Sequence, residues 1–228
     1  MSSILSLYRS AIGKKAVMAV SGFLLVGFVL GHMAGNFKIF LGEEKFNHYA
    51  EWLREIGSPA LPHGGALWIA RIVLLGAVLL HIHSAWSLTR ASRKARPERY
   101  RRKLSARQAT YASRTMRWGG VIIVLFVFFH LAHFTWGWSW AHPDFDPGNA
   151  YRNVVEGFRV PWVVAFYIVA QLALGLHLYH GFWSALQSLG WDHRAIDSWR
   201  RPAAATIAVA LTLGNTALAI SVLTGWVG

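Results

Sequence analysis

The chain has 228 residues, 54% of them hydrophobic and 14% charged. A soluble domain carries roughly 25% charged residues, so this composition belongs to a protein solvated by lipid. The formal charge of +13 does not indicate nucleic acid, because the basic residues flank apolar spans, the placement that orients a membrane protein. Cysteine is absent, which excludes disulfides, iron–sulfur clusters held by thiolates of this chain, and covalent c-type haem.

Residues 1–15 are polar and basic, and Ile4, Leu5, Leu7, Tyr8 and Ile12 fit the stripe of a surface helix. The apolar run that starts at Ala16 exceeds the roughly 7–15 residues of a signal core and is long enough to cross a bilayer. This first span is expected over 16–41. Gly27, Gly31 and Gly35 share one face of it, a spacing that suits either close helix packing or the approach of a flat ligand.

Residues 42–65 form a charged loop, within which FNHYAEWLREIG is amphipathic and reads as a short interfacial helix. The second span is expected over 66–89. RASRKARPERYRRKLSARQATYASRTMR follows, with eleven Lys or Arg and one acid, Glu98. It reads as a solvated, orienting loop that also suits docking to a soluble partner or to anionic lipid headgroups. The third span is expected over 118–140, followed by a turn-rich loop. The fourth runs over 160–189, with Pro161 suited to a first helical turn, and the fifth over 203–226.

Fold class follows: an all-α membrane protein, a single five-helix bundle over 1–228. Of the 23 Lys and Arg, only Lys38, Lys45, Arg54, Arg71, Arg152 and Arg159 fall on the side opposite the N-terminus. The acids show the reverse bias. This predicts a cytoplasmic N-terminus and an outer C-terminus.

Four of the five spans carry histidine, an ionisable side chain that costs several kcal/mol at membrane depth unless paired or bound. A haem b iron in a helical bundle takes one neutral imidazole from each of two facing helices. At 1.5 Å per residue, His32 lies roughly 24 Å from Ala16 and His130 roughly 18 Å from Trp118, both in the outer half. His81 lies about 12 Å from Thr89 and His177 roughly 26 Å from Val160, both in the inner half. The expectation is an outer pair, His32 with His130, and an inner pair, His81 with His177. His83, His133 and His180 are also intramembrane, and helical spacing alone does not choose between them and their neighbours. The loop histidines His48, His63, His142 and His193 read as surface residues. His48 with Glu51 and Glu55, on the outer side, suits the proton acceptor of a quinone site.

GHMAGNFKIFLG, ARIVLLGAVLLHIHSAWSLTRASRKARP, FHLAHFTWG and HLYHGFWSALQSLGW together resemble the single-subunit, five-helix, di-haem cytochrome b anchor (b558 type) of succinate dehydrogenase and fumarate reductase. The resemblance implies haem ligation by His32, His81, His130 and His177. It prefers His81 over His83, His130 over His133, and His177 over His180, the last through the register of Gly181 and Gly190. It further implies two haems b, a quinone, commonly menaquinone, flavoprotein and iron–sulfur subunits as partners, and a bacterial cytoplasmic membrane. The chain itself would not oxidise succinate. It implies a glutamate near the outer haem in quinol chemistry, for which Glu51 and Glu55 are both placed. Other classes weighed against it are the cytochrome b of a hydrogenase or formate dehydrogenase, a transporter with histidine proton relays, and a haem-free anchor.

Overall fold

The computed structural model describes residues 6, 8–95, 111–191 and 194–228. Among them there are helices and no strand. Helix α1 spans Ala11–Asn36 and runs on into a 3₁₀ turn, Phe37–Leu41; α2 is Glu43–Glu55, α3 Gly65–Lys94, α4 Tyr111–Phe134, α5 Ala150–Phe158, α6 Pro161–Ser188 and α7 Arg194–Leu223. Five of these, α1, α3, α4, α6 and α7, are long and apolar enough to cross a membrane. Most of the basic loop after Lys94, including Glu98, lies outside the described residues, as do His193 and most of residues 1–7.

Local chemistry sets the helix ends. Ser10 caps α1, its side chain accepting from the Gly13 amide at 2.9 Å. Pro161 opens α6 at its first turn, where the missing N–H is no loss. Gly190, at φ +86°, closes α6, and the Trp191 amide reaches back to the Leu186 carbonyl at 3.0 Å.

Three expectations about boundaries are corrected. Helix α4 stops at Phe134 rather than at Trp140. Gly137 lies in the left-handed region, and a Cβ there would stand 2.1 Å from the Phe145 ring, so the chain turns sharply under its own loop. The turn-rich loop beyond contains α5, capped by Asn149, whose side chain accepts from the Arg152 amide at 2.9 Å. Helix α7 begins at Arg194, nine residues before Ala203, and passes through Pro202 without ending.

Helix α6 is central: α1, α4 and α7 all pack along it, and α3 packs on α1. Gly175 brings α6 and α7 close, since a Cβ there would meet Thr212 Oγ1 at 2.3 Å. Asn215 of α7 donates to the Gln171 side chain at 3.2 Å, so neither amide is left unpaired between apolar helices. The surface is apolar to match a bilayer: Ile69, Ile72, Leu75 and Leu79 of α3 are all exposed. Exposed Trp68 and Trp86 mark the two ends of α3. They are about 27 Å apart along the axis, close to the ~30 Å hydrocarbon thickness.

Candidate functional site

Two histidine pairs meet between the helices, with His32 exposed and His81, His130 and His177 half-buried. The His32 and His130 rings have centroids 5.8 Å apart and planes at 86°. His81 and His177 lie 6.2 Å apart at 58°. Each pair joins helices that do not pack extensively side by side: α1 with α4, and α3 with α6. The imidazoles are thus the main approach across each diagonal. His81 touches α1 near residues 18–22, so the two pairs are separated by roughly 18 Å along α1.

The neighbours of each ring define its free nitrogen. His81 Nδ1 lies 3.0 Å from the Met18 carbonyl and 3.3 Å from the Ser21 hydroxyl. A carbonyl only accepts, so Nδ1 carries the proton and Nε2 keeps its lone pair. Gly22 makes room for this ring, because a Cβ would stand 3.3 Å from His81 Cε1. His130 Nδ1 lies 3.1 Å from the Tyr167 hydroxyl, and Phe28 stacks on His32 at 5.4 Å and 14°. His177 is half-buried, and its Nδ1 is buried without a hydrogen-bond partner.

The alternative histidines go elsewhere. His83 faces Tyr8, whose hydroxyl is 2.5 Å from its Nδ1. His180 meets the Trp183 ring at 5.0 Å. His133 is 1% exposed and bonds to Tyr167 through Nδ1 at 3.1 Å. His142 corrects an expectation: it is 3% exposed rather than on the surface. Its Nδ1 donates to the His133 carbonyl at 3.1 Å, and α5 and its flanking loop cover the site. His48 and His63 are exposed.

These residues fit a haem. Two imidazoles that share one metal ion bind it at about 2.0–2.1 Å, which puts their ring centres about 6 Å apart. Both pairs have that separation, and His81 and His130 have the backbone or side-chain partner at Nδ1 that metal-bound histidines characteristically have. On α1 a Cβ at Gly27 or Gly31 would meet nothing within 4 Å. The tight helix contact that the glycine spacing allowed is absent there, whereas Gly35 does meet Tyr49, with 2.7 Å to its hydroxyl. The first two glycines leave a flat wall beside His32.

A cavity of about 700 Å³ opens at the N-terminal end of the bundle, lined by Lys15, Met18, Arg93 and Arg117 together with serine hydroxyls. Met18 is the residue whose carbonyl holds His81. On α2, Glu51 pairs with Arg54 at 2.7 Å and lies 3.7 Å from His63. His48, Glu51 and Glu55 form an exposed face. Tyr49, on another face, is the α2 residue that reaches α1, at Gly35.

Sequence reasoning missed Tyr167, Gly22 and the burial of His142. Tyr167 had one signal: a phenol in an apolar span needs a partner.

A family model described as the succinate dehydrogenase/fumarate reductase transmembrane subunit matches residues 90–217, more than half of the chain. The matched region contains His130 and His177. Neither the curated proteins nor the solved structures give a match.

Proposed function

The chain belongs to the succinate dehydrogenase/fumarate reductase transmembrane-subunit family, and we propose that it carries electrons through two haems b between an iron–sulfur subunit and a membrane quinone. The observation that carries this reading is the pair of diagonal imidazole contacts, at 5.8 Å and 6.2 Å, at two depths. His32 and His130 hold the outer haem, and His81 and His177 the inner one. The N-terminus and the basic loop face the cytoplasm of a bacterial cell, where flavoprotein and iron–sulfur subunits dock.

A haem bound at either pair supplies one-electron chemistry at its iron. The chain's own residues do the rest. The Met18 carbonyl orients His81 by accepting a hydrogen bond from its Nδ1–H, which raises the basicity of the opposite nitrogen. Gly22 lets that ring sit against α1. Gly27 and Gly31 offer a flat apolar wall. Lys15, Arg93 and Arg117 line the nearby cavity and suit the acidic edge of the inner haem. Phe126, Phe134 and Phe158, packed about Tyr167, shield the His130 side of the outer pair. The low local dielectric strengthens each polar contact that remains.

A quinone, menaquinone by the family resemblance, binds at the outer end, where His48, Glu51 and Glu55 of α2 exchange protons with solvent. Membranes containing the assembled complex test both parts. Succinate added without oxygen should reduce b-type haem absorbance, and the absence of any succinate-reducible haem would overturn the reading. Glu51→Gln or Glu55→Gln should slow quinone reduction several-fold while succinate still reduces the haems. If neither change slows turnover, the quinone site is not on α2.

A further inference from the structure

Three side chains at the outer end form a polar chain inside an aromatic cluster. Tyr167 is 6% exposed and packs edge-on against Phe126 at 5.0 Å and against Phe158 at 4.9 Å. Its hydroxyl is 3.1 Å from His130 Nδ1 and 3.1 Å from His133 Nδ1. His133 in turn is anchored from outside: its carbonyl accepts from His142 Nδ1. Gly157 of α5 clears the space for its ring, since a Cβ there would stand 2.8 Å from His133 Nε2. A hydroxyl has one proton to give. With an imidazole nitrogen on each side, it donates to one and accepts from the other.

We propose that Tyr167 and His133 are positioning residues that fix the tautomer of His130 and set the electron-donating strength of that ligand, and so the potential of the outer haem. The inference rests on the reading of His130 as an iron ligand. A neutral imidazole bound through Nε2 keeps its proton on Nδ1, so His130 donates to the Tyr167 oxygen. The Tyr167 proton then goes to His133 Nδ1, and His133 carries its own proton on Nε2. Each bond polarises the next, so the phenol becomes a better acceptor for the His130 proton when His133 takes its own. A stronger acceptor at Nδ1 makes the ligand more basic, which favours the oxidised iron and lowers the potential. Among the described residues the two pairs are held differently: His81 Nδ1 faces the Met18 carbonyl and the Ser21 hydroxyl, whereas His130 is joined through a phenol to a second imidazole. Buried polar side chains in an apolar cluster are costly unless hydrogen-bonded, and the Tyr167 hydroxyl has an imidazole partner on either side.

The experiment is a redox titration of the assembled complex in membranes, followed at the haem absorbance. The outer component is identified as the one missing in His32→Ala. Tyr167→Phe should retain two haems and move the outer component to a more positive potential, with the inner component unmoved. His133→Leu should move it in the same direction by less, and the double variant no further than Tyr167→Phe alone. An unmoved outer potential in Tyr167→Phe with two haems present overturns the proposal, as does an equal shift of both components. If Tyr167→Phe loses the haem or the fold, His133→Leu decides, and an unmoved outer potential there overturns it. A wild-type complex without haem instead refutes the assignment of His130 itself.

Discussion

His180 lies one turn from His177, yet its ring meets Trp183 at 5.0 Å while His177 meets His81. His180→Leu should therefore leave two haems per chain and an unaltered reduced-minus-oxidised spectrum. Loss of one haem in that variant would mean that His180, not His177, completes the inner pair. Spacing alone does not distinguish residues three apart, because they are separated by about 60° on the helix and share a face. Their neighbours distinguish them. His83 is a clearer case, about 200° from His81, and it turns out toward Tyr8. Tyr167 was illegible for a different reason. Its role depends on which face α4 presents to α6, and no local pattern in α6 records that.

At the scale of the element, the α6–α7 contact depends on a missing side chain. A Cβ at Gly175 would stand 2.3 Å from Thr212 Oγ1 and 3.7 Å from the Ala208 carbonyl. Gly175→Val should destabilise the bundle by about 1–3 kcal/mol, the usual cost of overpacking, seen as a lowered Tm of the detergent-solubilised complex. An unchanged Tm would show that the two helices slide apart freely. The long apolar helices were readable because length and hydropathy alone specify a span. Helix α5 was obscured by the Asp, Pro, Gly and Asn before it. Its own signals were present in Asn149 as cap and in Tyr151, Val154, Val155 and Phe158 at helical spacing. Missing that helix is why His142 was expected at the surface. Pro202 misled in the opposite direction: it reads as a boundary, but packing against α6 carries α7 through it.

For the molecule as a whole, depth was legible and neighbourhood was not. A constant rise per residue converts sequence position into height in the bilayer, and that sorted the intramembrane histidines into an outer and an inner group, while the preference for His81, His130 and His177 over their neighbours came from the family resemblance. Periodicity reports which face of a helix is apolar, not which helix it meets. That the pairs span the diagonals, with α1 between α3 and α6, comes from the fold. The diagonal arrangement yields the central claim, two haems at two depths, each held by one imidazole from each of two helices that otherwise scarcely touch. The most direct test is the haem-to-chain ratio of the purified complex, with each of His32, His81, His130 and His177 replaced singly by Ala. Two haems are predicted for the unaltered chain and one for each variant. His32→Ala and His130→Ala should lose the same spectral component, and His81→Ala and His177→Ala the other. A ratio of one in the unaltered chain, or losses that pair His32 with His81, would contradict it.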